Sequence, residues 1–227
     1  MDRITYIIII TLFALLILYN IYFNQEHTEK YEIEGDEIYQ NAIDMQHAEH
    51  SRFNYKTKEC SHWYSLEIVN EILNNKQNNY KHVLVLGVAL GGQIIHLLDK
   101  DPNIRVTGVD IDDINFHIVE KYSDTSRLRL IKDDANNYIT NTDNTYDVIV
   151  CDVFMGMHVA DFILTTKFLD KINKMLATPK SKFLLNTTIQ SDKSMVINLL
   201  KKSFNNCNID ILHNPSYVNN LYFVTKN

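Results

Sequence analysis

Positive charge is in the minority here, with 22 Lys and Arg against 28 Asp and Glu and a formal net charge of −6. A nucleic-acid-binding chain needs a basic face, so no nucleic-acid partner is expected. Cysteine is scarce: Cys60, Cys151 and Cys207 are far apart and odd in number. That pattern excludes a disulfide framework and a zinc knuckle. Proline occurs only three times while Asn and Ile abound, the bias of an AT-rich coding sequence, which carries no chemistry. Glycine occurs six times, and three of the six stand within residues 87–92.

What is present begins with a long apolar run. From Ile4 to Phe23, ITYIIIITLFALLILYNIYF has no charge and one amide, Asn20. Such a stretch, if helical, rises about 30 Å, the hydrocarbon thickness of a bilayer. It has no polar stripe, and Tyr19 and Tyr22 lie near its far end, where aromatic rings favour the interface. A cleaved signal would have a shorter apolar region and small residues where NIYFNQEH stands. The expectation is a single-pass membrane protein with an N-terminal anchor over 4–23 and an acidic stalk over 24–36. Arg3 before the span and acidic residues after it put the N-terminus in the cytosol. One arginine leaves the sidedness open.

Residues 37–80 read as a helical segment ahead of the main domain. It is rich in aromatics and histidines and ends in the amphipathic SLEIVNEIL. His47 and His50 have i, i+3 spacing with Asp44 before them. No third and fourth ligand can be placed, so the reading is a solvated helix face and no metal. Trp63 and Tyr64 read as packing of this segment, with closure over a ligand pocket as the alternative.

Over 81–227 strands and helices alternate. VLVLG (83–87), IRVTGVDI (104–111), LRLIKDDA (128–135), YDVIVCDVF (146–154) and KFLLNTT (182–188) are apolar enough for strands buried on both faces. Helical patterns separate them, and CNIDILH and LYFVTK form a final antiparallel pair. The expected fold class is α/β, a doubly wound, mostly parallel, seven-stranded Rossmann-like sheet with a terminal antiparallel hairpin. Asn186-Thr187-Thr188 is a glycosylation sequon, but it falls in a core strand.

Ligands of such sheets bind at the carboxyl ends of the strands. Gly87, Gly91 and Gly92 stand between the first strand and its helix, where a missing β-carbon lets a ligand approach the backbone or simply permits a tight turn. The next strand ends in Asp110, placed to accept hydrogen bonds from a ribose diol. Together they point to an adenosine-containing ligand. GVALGG departs from the dinucleotide fingerprint at Ala89, whose methyl crowds a pyrophosphate. A ligand without phosphate, S-adenosylmethionine (SAM), fits better. Asp134 is offered to the adenine amino group, Ala135 is its small neighbour, and Asp152 stands alone at the tip of the fourth strand.

YSLEIVNEIL, VLVLGVALGG, VTGVDID, LIKDDANNYI, YDVIVCDVF and ILTTKFLDKINKML, in that order, resemble the spermidine synthase-like branch of the class I SAM-dependent methyltransferases. The resemblance implies a cofactor held by Gly87, Gly91, Asp110, Asp134 and Ala135, with Ile111 packing on adenine. Leu90 replaces the acidic residue of the family's glycine loop. Asp152-Val153-Phe154-Met155-Gly156 stands where aminopropyltransferases have D-S-S-D-P, and Met155 removes the second carboxylate that a polycation needs. Val159-Ala160 stands where the loop usually has a proline. Methyl transfer is therefore expected over aminopropyl transfer, with Asp152 catalytic and His158 and Asp161 lining the site of a small-molecule or protein acceptor. Two alternatives stay open: a degenerate member serving as a binding module, and a nicotinamide-dependent oxidoreductase.

Overall fold

The computed structural model describes residues 31–41, 49–156 and 158–227. Glu32–Asn227 forms one compact unit. Its first part corrects the helical reading of 37–80. Strands β1 (Glu32–Glu34), β2 (Glu37–Asn41), β3 (Glu49–Asn54) and β4 (Glu59–Cys60) make an antiparallel sheet in that order. Only helix α1 (Trp63–Leu73) is as expected. His50 stands in β3, so no helix carries it; His47 and Asp44 lie outside the described residues.

The membrane assignment is corrected as well. Among the described residues no helix is long and apolar enough to cross a membrane, and the run 4–23 lies outside them.

The main sheet follows the alternation. Its strands are β5 (His82–Leu86), β6 (Arg105–Asp110), β7 (Leu128–Lys132), β8 (Val148–Cys151), β11 (Lys182–Thr188), β12 (Cys207–His213) and β13 (Asn219–Lys226). They lie in the order β12-β13-β11-β8-β5-β6-β7. Pairing is parallel from β11 to β7, and β13 runs antiparallel to both β11 and β12. The expected fourth strand stops at Cys151; Phe154–Met155 (β9) and His158–Val159 (β10) form a small hairpin instead.

One face of the sheet carries Leu84, Leu86, Val109, Ile149 and Cys151. Helices α4 (Ala135–Asn141), α5 (Thr166–Met175) and α6 (Lys193–Ser203) pack there through Tyr138, Ile139, Phe168, Ile172, Val196 and Leu200. Each helix starts at a capping side chain: Asp134, Thr165 and Asp192 accept from backbone N–H groups three residues on. Helix α2 (Gly92–Lys100) takes the other face, where Gly108 leaves room for Ile94. Helix α3 (Phe116–Tyr122) follows β6.

The lower edge is tied by Arg127. Its guanidinium donates to the carbonyls of Leu98, Asp101 and Ile104 at 2.6–2.9 Å and to Asp124 at 2.8 Å. It thereby serves free carbonyls at the end of α2. Arg127→Ala takes the guanidinium from the Leu98, Asp101 and Ile104 carbonyls and should destabilise the fold by about 2 kcal/mol or more in urea denaturation. A loss under about 0.5 kcal/mol would show that water replaces the guanidinium.

Candidate active site at the carboxyl ends of the strands

Backbone approach builds this region. Gly87, at φ +86°, ends β5, and a β-carbon there would stand 2.2 Å from the Asp152 carbonyl oxygen. At Gly91, φ +74°, a β-carbon would stand 2.4 Å from a Val119 methyl. At Gly92 it would press on Arg52 and Phe53 of β3. The bare turn is thus required by the protein's own packing before any ligand enters. Leu90, replacing the loop carboxylate, is fully buried in the core.

Asp110 closes the turn. Its Oδ2 accepts from the N–H groups of Val88 and Ala89 at 2.7 and 3.1 Å, and Oδ1 from that of Asp112 at 3.0 Å. These bonds hold Ala89 in a left-handed conformation, φ +48°. Oδ1 keeps an acceptor position for a ribose hydroxyl. Ile111 follows with 69% of its surface exposed at the mouth, a flat apolar surface of the kind an adenine covers. Asp134 accepts from Asn137 N–H as the cap of α4 and has a second oxygen to offer, while Ala135 is buried with its methyl in the core. Gln93 Oε1, just past the glycine turn, is buried with no hydrogen-bond partner. These residues fit a nucleoside-bearing cation that carries amine donors and no phosphate.

Asp152 stands at the end of β8 with both carboxylate oxygens bonded. It caps the apolar β8 at the point where Gly87 meets its carbonyl. Asn186 Nδ2 donates to Oδ1 at 2.8 Å and Gln93 Nε2 to Oδ2 at 2.9 Å. Asn186 is itself fixed by Asn219, whose amide donates to its Oδ1 at 3.0 Å. Burial raises the Asp152 carboxyl to about 6, against the two amides, which lower it. Tyr64 lies near enough that burial and the Asp152 charge push its phenol well above its ordinary value.

Sequence reading singled out Asp152 but not its clamp. Gln93 showed only as a helix residue, and Asn186 only as a sequon, although an amide in an apolar strand was a signal. Trp63 packs as expected, stacked on Tyr217 with ring centroids 5.4 Å apart. His158 lies opposite Met155 in the β9–β10 hairpin and Asp161 in the turn after it; both are exposed, and no hydrogen bond joins either to Asp152.

This sheet order, with its antiparallel last strand and a carboxylate at the tip of β8, defines the SAM-dependent methyltransferase-like fold. The chain belongs to the spermine/spermidine synthase domain family, whose model matches residues 61–227. That match starts well before the expected domain boundary at 81. Human methyltransferase-like protein 13 in complex with SAH superposes with a TM-score of 0.63 at 22% identity, over 74% of this chain and 83% of that one. A probable spermidine synthase from Corynebacterium glutamicum gives 0.69 at 13% identity, over 87% and 80%. In sequence the chain is 28% identical over 153 residues to the Drosophila melanogaster eEF1A lysine and N-terminal methyltransferase homolog. That stretch is 61% of this chain and 23% of the fly protein, so the chain spans about a quarter of its relative's length.

The raised Asp152 value fixes a sign. The fold prefers the protonated carboxyl, so this group's stabilisation is complete below about pH 4 and is lost as pH rises through about 6. Denaturation at a series of pH values should show Asp152→Asn gaining on the wild type between about pH 4 and pH 7. A pH-independent difference would place the carboxylate in an ordinary solvated setting. Gly87→Ala should cost about 3 kcal/mol or more, through both the clash and the positive φ.

Proposed function

We propose that this chain is a SAM-dependent methyltransferase whose acceptor is an amine carried by a protein. The observation that supports it most is the single carboxylate at the tip of β8, raised to about 6 and clamped by Gln93 and Asn186. SAM, when bound, supplies a methyl group already activated on sulfonium. The protein's part is then alignment and proton handling. Asp110 takes the ribose hydroxyls, Asp134 with Ala135 the adenine edge, and Ile111 the adenine face. The turn of Gly87, Gly91 and Gly92 lets them converge. Asp152, ionised above about pH 6, draws in a protonated amine, accepts its proton and holds the neutral nitrogen in line.

A peptide-borne amine suits the rim. Met155, Ile189, Tyr217 and Val218 are all exposed, and Tyr217 lies against Trp63. Ile189 donates its N–H to the Val218 carbonyl at 2.7 Å, and Asn219, next in the chain, leads through Asn186 to Asp152. His158 and Asp161 extend this rim along the hairpin. A polyamine is a poorer fit, because Met155 stands 73% exposed where a second carboxylate would be required. The fly relative's name, which joins lysine and N-terminal methylation, agrees with an amine acceptor.

Methyl transfer from labelled SAM to peptides bearing a free N-terminus or a lysine tests this reading. Activity should rise with pH around about 6, and Asp152→Asn should lower kcat by about 100-fold or more while SAM still binds. SAM binding without turnover on any amine would instead favour the binding-module reading, and turnover unchanged in Asp152→Asn would remove the carboxylate from the chemistry. Aminopropyl transfer from decarboxylated SAM would overturn the choice of reaction.

A further inference from the structure

The helix-covered face of the sheet is not covered to its foot. Helix α4 has seven residues and rises about 10 Å, whereas the six residues of β6 extend about 20 Å. Below the helix a cavity of about 490 Å³ opens at the amino ends of β5, β6 and β7, at the opposite end of the strands from Asp152. Strand alternation brings His82, Arg105, Thr107 and Arg129 onto this face, in line with Leu84, Val109 and Ile131. His82 is the register partner of Arg105, and Thr107 of Arg129. Asn144 and Thr145, on the segment leading into β8, add an amide and a hydroxyl.

The charges here are unbalanced. No carboxylate lines the cavity. The acids that flank the lining in sequence are committed elsewhere: Asp124 to Ser126 and Arg127, Asp143 to Lys171, and Asp147 to the backbone N–H groups of Lys81 and His82. Arg127, in the wall, is spent on its three carbonyls. Arg105 and Arg129 have no ion-pair or hydrogen-bond partner for their guanidiniums among the described residues, although acids outnumber bases 28 to 22 in the chain. They are diagonal neighbours on adjacent strands, since Arg129 pairs with Thr107, two residues beyond Arg105. Two exposed guanidiniums on one face of the sheet, with a hydroxyl and an amide beside them, offer the donors that a phosphate group carrying two negative charges accepts.

We propose that this cavity binds a phosphorylated small molecule, at a site separate from the SAM crevice. Its volume lies within the range of about 300–1,000 Å³ usual for small-molecule clefts, and the lining calls for a polyanion rather than an apolar ligand. The site stands independently of the methyl-transfer reading, since none of its residues touches Asp152 or the glycine turn.

Calorimetric titration of the full chain with inorganic pyrophosphate tests it, beside the double variant Arg105→Gln/Arg129→Gln. The wild type should bind pyrophosphate saturably, and the double variant at least about tenfold more weakly, with SAM binding unchanged between the two. Arg129→Lys, which keeps the charge but loses the fork, should fall in between. No saturable pyrophosphate binding, equal affinity in wild type and double variant, or displacement of pyrophosphate by SAM would each overturn the proposal.

Discussion

The contact between Gly87 and the Asp152 carbonyl is the constraint on which the site depends. Two neighbouring parallel strands, β5 and β8, end within reach of one another, and only a residue without a β-carbon lets them do so. The approach turns the chain sharply out of β5, so that Asp110 can gather the N–H groups of Val88 and Ala89 from β6. It also directs Gln93, on the first turn of α2, toward the Asp152 carboxylate. The turn out of β5 and the setting of the Asp152 carboxylate thus share one steric condition.

This changes what a glycine-rich turn says. Its glycines are usually read as room left for a ligand. Here every one of the three is filled by protein atoms: the Asp152 backbone, the Val119 side chain and the edge of β3. The groups with capacity to spare are next to them, in the second acceptor position of Asp110, the open surface of Ile111 and the unpaired oxygen of Gln93.

The parallel strands were legible because burial on both faces forces a continuous apolar run, as in VLVL and VIVC. Asp110 and Asp152 were legible for the same reason, each being the first acid after such a run. The four-stranded antiparallel sheet was not. Its strands are short, its apolar residues are few, and pairs such as Ile38 with Phe53 are chosen by contacts distant in sequence. Propensity alone therefore favoured a helix. The clamp on Asp152 was hidden for a related reason: Asn186 is set beside β8 by parallel register, which a linear sequence does not print.

Asn186 has one more consequence. It opens an Asn-Thr-Thr acceptor for N-linked sugar, yet Asn186, Thr187 and Thr188 are all buried in β11, the last parallel-paired strand of the sheet. Folding hides the acceptor from any transferase, so a glycan could be added only to the nascent chain. Added then, it would consume the amide that holds the carboxylate and keep β11 from seating between β8 and β13. The same segment whose amide holds Asp152 in a folded molecule would, in a secretory expression host, mark the chain for failure.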